Sequence, residues 1–344
     1  MLETIWFLLW GLLWSVYFML DGFDLGLGTL IPFLGRNDFE RRLIYRSVEP
    51  YWDGNEVWLI TAGGVTFAAF PGAYATIFSA FYTPLMIILF ALIVRAVSIE
   101  FRGKREDKQW RSLWDWTTAV GSFLPAFLFG VAFANIFRGI PVDGEGVFHG
   151  SILTFFNLYG VTGGFFFFFL FLVHGLLWFA IKTVHDIRER SMVLSGRLWF
   201  VSIIFGGAFL VLSAFYTGLY GNYLRMPCLF LVPAVAVIAL VAVRFFIGKA
   251  SAGKAWIASS CSIVFSVFFG VIGLYPNLLP SSIDPGQSVT VFNSASSPLT
   301  LKIMLVVAVI FVPTVIAYQG WAYRLFLKKY EIDEVMGPPS RENA

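Results

Sequence analysis

Tyr51-Trp52-Asp53-Gly54-Asn55-Glu56-Val57-Trp58-Leu59-Ile60-Thr61-Ala62-Gly63-Gly64 sets two carboxylates three residues apart where an apolar, helix-length run begins. Positions i and i+3 of a helix share a face, so Asp53 and Glu56 stand within several ångströms of each other. Two carboxylates in a poorly hydrated place cannot both ionise cheaply, and that competition is the chemistry a proton path needs. A plainer reading stays open beside it, in which Asp53 caps the helix and Glu56 faces a neighbouring subunit.

The rest of the chain explains why this helix belongs in a membrane. Charged residues make up only 13% of the sequence, against roughly 25% in a soluble domain. Mean hydropathy is +0.78 and 39 residues are Phe, so lipid solvates much of the surface. Met1-Leu2-Glu3 lacks a basic leader, and the apolar run after it is long enough to stay as a span, so no cleavable signal is expected. The net charge of +3 is small and unevenly placed, which speaks of topology and not of nucleic acid. Cys228 and Cys261 fall near the starts of consecutive apolar runs, at opposite membrane faces, and are not expected to bridge. No CxxC or Cys/His spacing suggests a metal site.

A span needs about 20 apolar residues, and nine stretches meet that length: about 5–34, 52–70, 75–97, 116–137, 152–181, 198–220, 227–247, 255–275 and 299–327. The connections after the first, third, fifth and seventh, with the tail and the span ends beside them, hold 21 of the 24 basic residues, leaving only Arg138, Arg225 and Lys302 for the other side. Basic residues mark the cytoplasmic face, so the N-terminus is expected outside and the C-terminus inside. The expectation is an all-α polytopic membrane protein, one integral domain over residues 1–331 with a cytoplasmic tail at 332–344. Two four-helix units with a peripheral ninth helix are the expected arrangement. Gly22 and Gly26, one turn apart, suggest a close helix contact within the chain or with a partner.

With orientation set, the charges converge. Asp21 and Asp24 lie in the inner half of the first span, Asp53 and Glu56 open the second, Arg95 closes the third, and Asp115 opens the fourth. A charge within the membrane costs from about 3 kcal/mol upward, so such residues pair, protonate or line water. Asp24 and Asp115 are the expected partners of Arg95, giving a buried charge network with Asp21. Asp53, nearest cytoplasmic water, is the expected proton-entry group, with Glu56 beside it. His149, His174 and His185 fall at incompatible depths for ligating one haem from both sides, so no haem is expected in this chain.

Several stretches together resemble a known family. Asp21-Gly22-Phe23-Asp24-Leu25-Gly26, Phe33-Leu34-Gly35-Arg36-Asn37-Asp38 and Trp52-Asp53-Gly54-Asn55-Glu56-Val57-Trp58-Leu59 are similar to subunit II of cytochrome bd-type quinol oxidases. So are Trp114-Asp115-Trp116, Gly121-Ser122-Phe123, Gly130-Val131-Ala132-Phe133 and Asn293-Ser294-Ala295-Ser296-Ser297. The resemblance covers the first 140 residues closely and the last span adequately; 150–290 matches by topology. It implies a multi-pass subunit of the prokaryotic cytoplasmic membrane, partnered by a subunit I that carries haem b and haem d, oxidises quinol and reduces O2 to water. It implies that subunit II is haem-free, and that the acid at Asp53 starts a cytoplasmic proton route. It leaves open a structural quinone in this subunit and a small single-span accessory subunit. Two rivals are a proton-coupled secondary transporter and a purely structural anchor. Transporters usually show internal repeats and mid-membrane sites, whereas these charges lie at one face.

Overall fold

The computed structural model describes residues 1–330, so the expected tail at 332–344 lies outside the described residues. In chain order the helices are α1 (Leu2–Leu34), α2 (Asp38–Val48), α3 (Trp52–Ala69), α4 (Pro71–Ala80), α5 (Tyr82–Phe101) and α6 (Lys108–Arg138). Then come α7 (Leu158–Lys182), α8 (His185–Tyr216), α9 (Tyr220–Arg225), α10 (Leu231–Gly248), α11 (Ala252–Leu274) and α12 (Pro298–Leu325). A two-stranded antiparallel ribbon, β1 (Asn277–Leu279) with β2 (Val289–Thr290), lies before α12.

Eight of these helices are long and apolar enough to cross a membrane: α1, α5, α6, α7, α8, α10, α11 and α12. The stretch expected as the second span is helical too, but Asp53, Asn55, Glu56, Thr61, Thr66 and three glycines dilute its apolar content. Its 18 residues reach about 27 Å at 1.5 Å per residue.

Several boundaries differ from expectation. The third span begins in α4 and resumes as α5 after a break at Phe81, because Pro84 has no N–H to offer the carbonyl of Ala80. The fourth is only the later part of α6, whose first turn is capped by the Asp107 carboxylate accepting from the Trp110 N–H. Asp115 therefore lies about two turns inside a helix and not at its mouth. Likewise α8 starts at His185, well before the apolar run at 198. A helix satisfies its own backbone in water and lipid alike, so hydropathy marks where lipid ends and not where the helix does.

α1 is the hub, packed against α3, α6, α7 and α11. α5 leans on α6; α7 joins α8 and α11; α10 lies on α11. α12 is peripheral, with only Leu301 buried along its length. The close approach anticipated at Gly22 and Gly26 is made within the chain: a Cβ on Gly26 would strike the Phe171 carbonyl of α7. At the end of the bundle opposite the basic connections, the Ile140 N–H donates to Pro280 O at 3.1 Å and the Ser282 N–H to Ile140 O at 2.9 Å. The long connection before α12 is thus pinned to the one after α6. Both cysteines are unbridged.

Candidate functional site

The acids and arginines at the basic end of the bundle sort into three groups. The first is built on Arg95 of α5, whose side chain is 1% exposed. Its Nη1 donates to Glu56 Oε1 at 2.8 Å, and Nη1 and Nη2 both reach Asp21 Oδ1 at 3.3 Å. Asp21 is fully buried, and its Oδ2 has no hydrogen-bond partner. The hydroxyl of Tyr17, one turn earlier, has none either.

The second group centres on Asn55. Its Nδ2 donates to Asp24 Oδ2 at 2.6 Å, while its Oδ1 accepts from the Tyr323 hydroxyl at 2.7 Å and from Gln319 Nε2 at 3.2 Å. Gln319 Oε1 in turn accepts from Trp58 Nε1 at 2.7 Å. One amide side chain thus ties α1, α3 and the peripheral α12 together. Asp24 Oδ1 has no partner.

The third group surrounds Asp115. Its Oδ1 accepts from Arg102 Nε at 2.6 Å and its Oδ2 from Arg41 Nη1 at 2.9 Å. Arg102 reaches on to Asp38 at 2.9 Å, and Asp38 also accepts from Arg42 at 2.8 Å and Arg111 at 3.0 Å. Asp38 lies in α2, outside the spans. Burial would raise its pKa, but the Arg102 hydrogen bond and the charges of Arg102, Arg42 and Arg111 hold it below the ordinary carboxylate value.

The expected pairing of Arg95 with Asp24 and Asp115 is therefore corrected: Arg95 holds Asp21 and Glu56, Asp24 is held by an amide, and Asp115 belongs to Arg41 and Arg102. Arg102 follows Arg95 by seven residues, about 10 Å along the helix, and takes the acid at its own depth. The sequence showed no sign that α2 would lay Arg41 there, because its mixed polar surface carries no span-like pattern.

Asp53 is exposed in the first turn of α3. The helix begins at Trp52 with Tyr51 as its N-cap and no side chain capping it, so the capping role is not made. Exposure falls stepwise from Asp53 to Glu56, whose side chain is 22% exposed, to Arg95 and Asp21. Asp53, Val57, Ile60, Gly64 and Phe67 form the outward stripe of α3; Asn55, Trp58, Ala62, Thr66 and Ala69 form its buried one.

Lys182 was missed as a buried group. It is fully buried at the end of α7, with Nζ donating to the Tyr51 hydroxyl at 3.3 Å and to the Phe326 carbonyl. Its ammonium lies 4.9 Å from the Tyr330 ring centroid, and it makes no ion pair among the described residues. His174 uses both ring nitrogens, Nδ1 with Ser259 Oγ at 3.1 Å and Nε2 with Met19 O at 3.0 Å, and stacks on Trp256 with centroids 5.1 Å apart. His149 is paired with Asp143 at 2.6 Å. Among the described residues no three His, Cys, Asp or Glu side chains gather to hold a metal.

A bundle of apolar helices with a ladder of acids and arginines buried at one end defines a multi-pass membrane protein with a charge-bearing interior. The chain belongs to the family described as cytochrome bd terminal oxidase subunit II, whose pattern matches residues 2–326. It is 36% identical, over 97% of this chain and 98% of the relative, to the cytochrome bd ubiquinol oxidase subunit 2 of Bacillus subtilis. It is 32% identical, over 94% of this chain and 93% of the relative, to the cytochrome bd-I ubiquinol oxidase subunit 2 of Escherichia coli. A chain in the structure of bd oxidase from Geobacillus thermodenitrificans matches with a TM-score of 0.77 over 95% of this chain and 98% of that one, at 15% identity, which speaks to the fold. This is a transmembrane, respiratory-chain oxidoreductase subunit of the bacterial terminal-oxidase type.

Proposed function

We propose that this chain is the haem-free subunit II of a quinol oxidase of the prokaryotic cytoplasmic membrane, stabilising a subunit I that carries haem b and haem d and reduces O2 to water. In this reading α3 is the ninth span, the N-terminus is outside, and the basic end of the bundle faces the cytoplasm. The chain's own contribution to the chemistry is a proton entry at Asp53 with Glu56 as the next acceptor.

The observation that carries this is the stepwise burial of Asp53, Glu56 and Asp21 against one arginine. Arg95 is a fixed cation and repels hydronium, so a proton handed to Glu56 is turned away from the interior of this chain. The outward stripe of α3 offers the alternative direction. It carries a carboxylate and Gly64 among apolar residues, a surface ill suited to lipid and suited to a packed neighbour. The route then runs along the contact with subunit I. The haem-free reading is supported by His174, which has no nitrogen to give to iron.

Asp53→Asn keeps size and hydrogen bonding but cannot exchange a proton. In the assembled oxidase it is expected to leave haem content intact, lower quinol-driven oxygen uptake, and slow proton uptake after an oxygen pulse. Unchanged turnover and proton-uptake kinetics across pH 6–8 would overturn the role.

A further inference from the structure

We propose that the furrow between α8 and α10 binds one anionic glycerophospholipid, its phosphate held by Arg197 and Arg244 and an acyl chain lying in the cavity beyond. The two helices run antiparallel on a largely exposed side of the bundle, each packed mainly on another neighbour, α8 on α7 and α10 on α11. What links them directly at mid-length is Trp199, whose Nε1 donates to Leu240 O at 2.7 Å. Open spaces lie on both sides of that tie.

Toward the basic end is a cavity of about 350 Å³ into which Arg197 and Arg244 both project. Neither arginine makes an ion pair among the described residues. Arg244 lies across the furrow with its guanidinium 5.8 Å from the Phe200 ring centroid. Gly196 and Gly248 keep the space open. One carboxylate, Glu189, also lines it, leaving a net positive charge that Lys249, beside Gly248, increases. A single phosphodiester balances the excess of the two arginines over Glu189, and guanidinium is the donor best shaped for it. A basic pocket between spans at the cytoplasmic side is a recurring seat for acidic headgroups.

On the far side of Trp199 is a cavity of about 150 Å³ walled by Ile203, Gly206, Leu210, Ala236 and Phe269, with Gly207 at its edge. Arg197 and Gly206 are nine residues apart, about 14 Å along α8. One leaflet's hydrocarbon is about 15 Å deep, so a lipid anchored at the arginines reaches this cavity with its chain. One molecule therefore fills both spaces. The placement in the cytoplasmic leaflet rests on the orientation proposed above; the binding itself does not.

The test uses the intact oxidase complex, gently extracted, with lipid counted by native mass spectrometry, and then delipidated and titrated with phosphatidylglycerol, phosphatidylethanolamine or phosphatidylcholine. Wild type is expected to retain one phosphatidylglycerol and to rebind it at least tenfold more tightly than the other two. Arg197→Gln with Arg244→Gln is expected to weaken that binding at least tenfold. Gly207→Leu, where an added Cβ meets nothing within 4 Å, is expected to displace the chain while leaving both arginines in place. Equal affinity for the zwitterionic lipids, unchanged retention in the double variant, or a quinone in place of the lipid would overturn the proposal. Because turnover is not read, these results stand or fall independently of the proton route.

Discussion

Replacing Arg95 by Leu removes the cation that pairs, among the described residues, with Asp21 and Glu56. Asp21 is fully buried and Glu56 is 22% exposed, so the loss falls chiefly on Asp21. The bonds to Asp21 are long at 3.3 Å, whereas the one to Glu56 is 2.8 Å, so for Asp21 the arginine matters more as a compensating charge than as a donor. Stripping the partner from a buried charge costs about 3–5 kcal/mol, which is about a hundredfold to a few thousandfold in the folded, assembled fraction. Removing both charges of the deepest pair leaves only the smaller cost of unmatched polar atoms. Arg95→Leu with Asp21→Asn is therefore expected to recover most of the loss. The assay is the yield of haem-bearing complex per unit membrane protein, with thermal stability of whatever assembles; turnover per assembled enzyme should fall less than yield. Wild-type yield in Arg95→Leu, or a double variant no better than the single one, would refute the reasoning.

Asn55→Leu strips a donor from Asp24 and an acceptor from Tyr323 and Gln319, each unmatched group costing about 1–3 kcal/mol, while Tyr323→Phe removes one bond worth about 1 kcal/mol. Denaturation of the purified complex should show the first loss to be at least twice the second; equal losses would contradict a hub at Asn55. Asp38 has a lowered pKa in the fold, so its contribution is present above the unfolded carboxylate pKa of about 4 and is lost as pH falls through the lower folded value. Asp38→Asn should accordingly be less stable than wild type at pH 7 and converge with it in acid, as thermal midpoints across that range would show. Expressed without its partner and solubilised, the chain is expected to show no Soret band; stoichiometric haem would contradict the haem-free reading.

The spans were readable because lipid demands long apolar runs, and the one-turn spacing of Gly22 and Gly26 signalled a close helix contact without saying whether α7 or a partner would make it. The partners of the charges were not. Depth along the membrane says which residues share a layer, but not which of several arginines in adjacent layers meets a given acid. That choice was made by α2, a short helix whose mixed surface resembles a connection, and by α6 starting before its apolar run. Asn55 could have been found: it leads the buried stripe Asn55, Trp58, Ala62, Thr66 and Ala69, spaced three and four apart, and a polar residue on such a face demands a partner. Lys182 offered no such signal, since a lysine after an apolar run ordinarily marks the water boundary.

The peripheral helix α12 has a consequence for biogenesis. Its middle touches almost nothing, yet near its start Leu301 O accepts from Trp6, and at its other end Gln319, Tyr323 and Phe326 complete groups buried on α3 and α7. A nascent chain that has emerged only as far as α11 holds an amide at Asn55 and an ammonium at Lys182 without those partners. The bundle becomes electrically and sterically closed only once residue 326 has left the ribosome. That makes α12 a clasp: the last helix supplies the partners that groups buried on α3 and α7 lack until it packs.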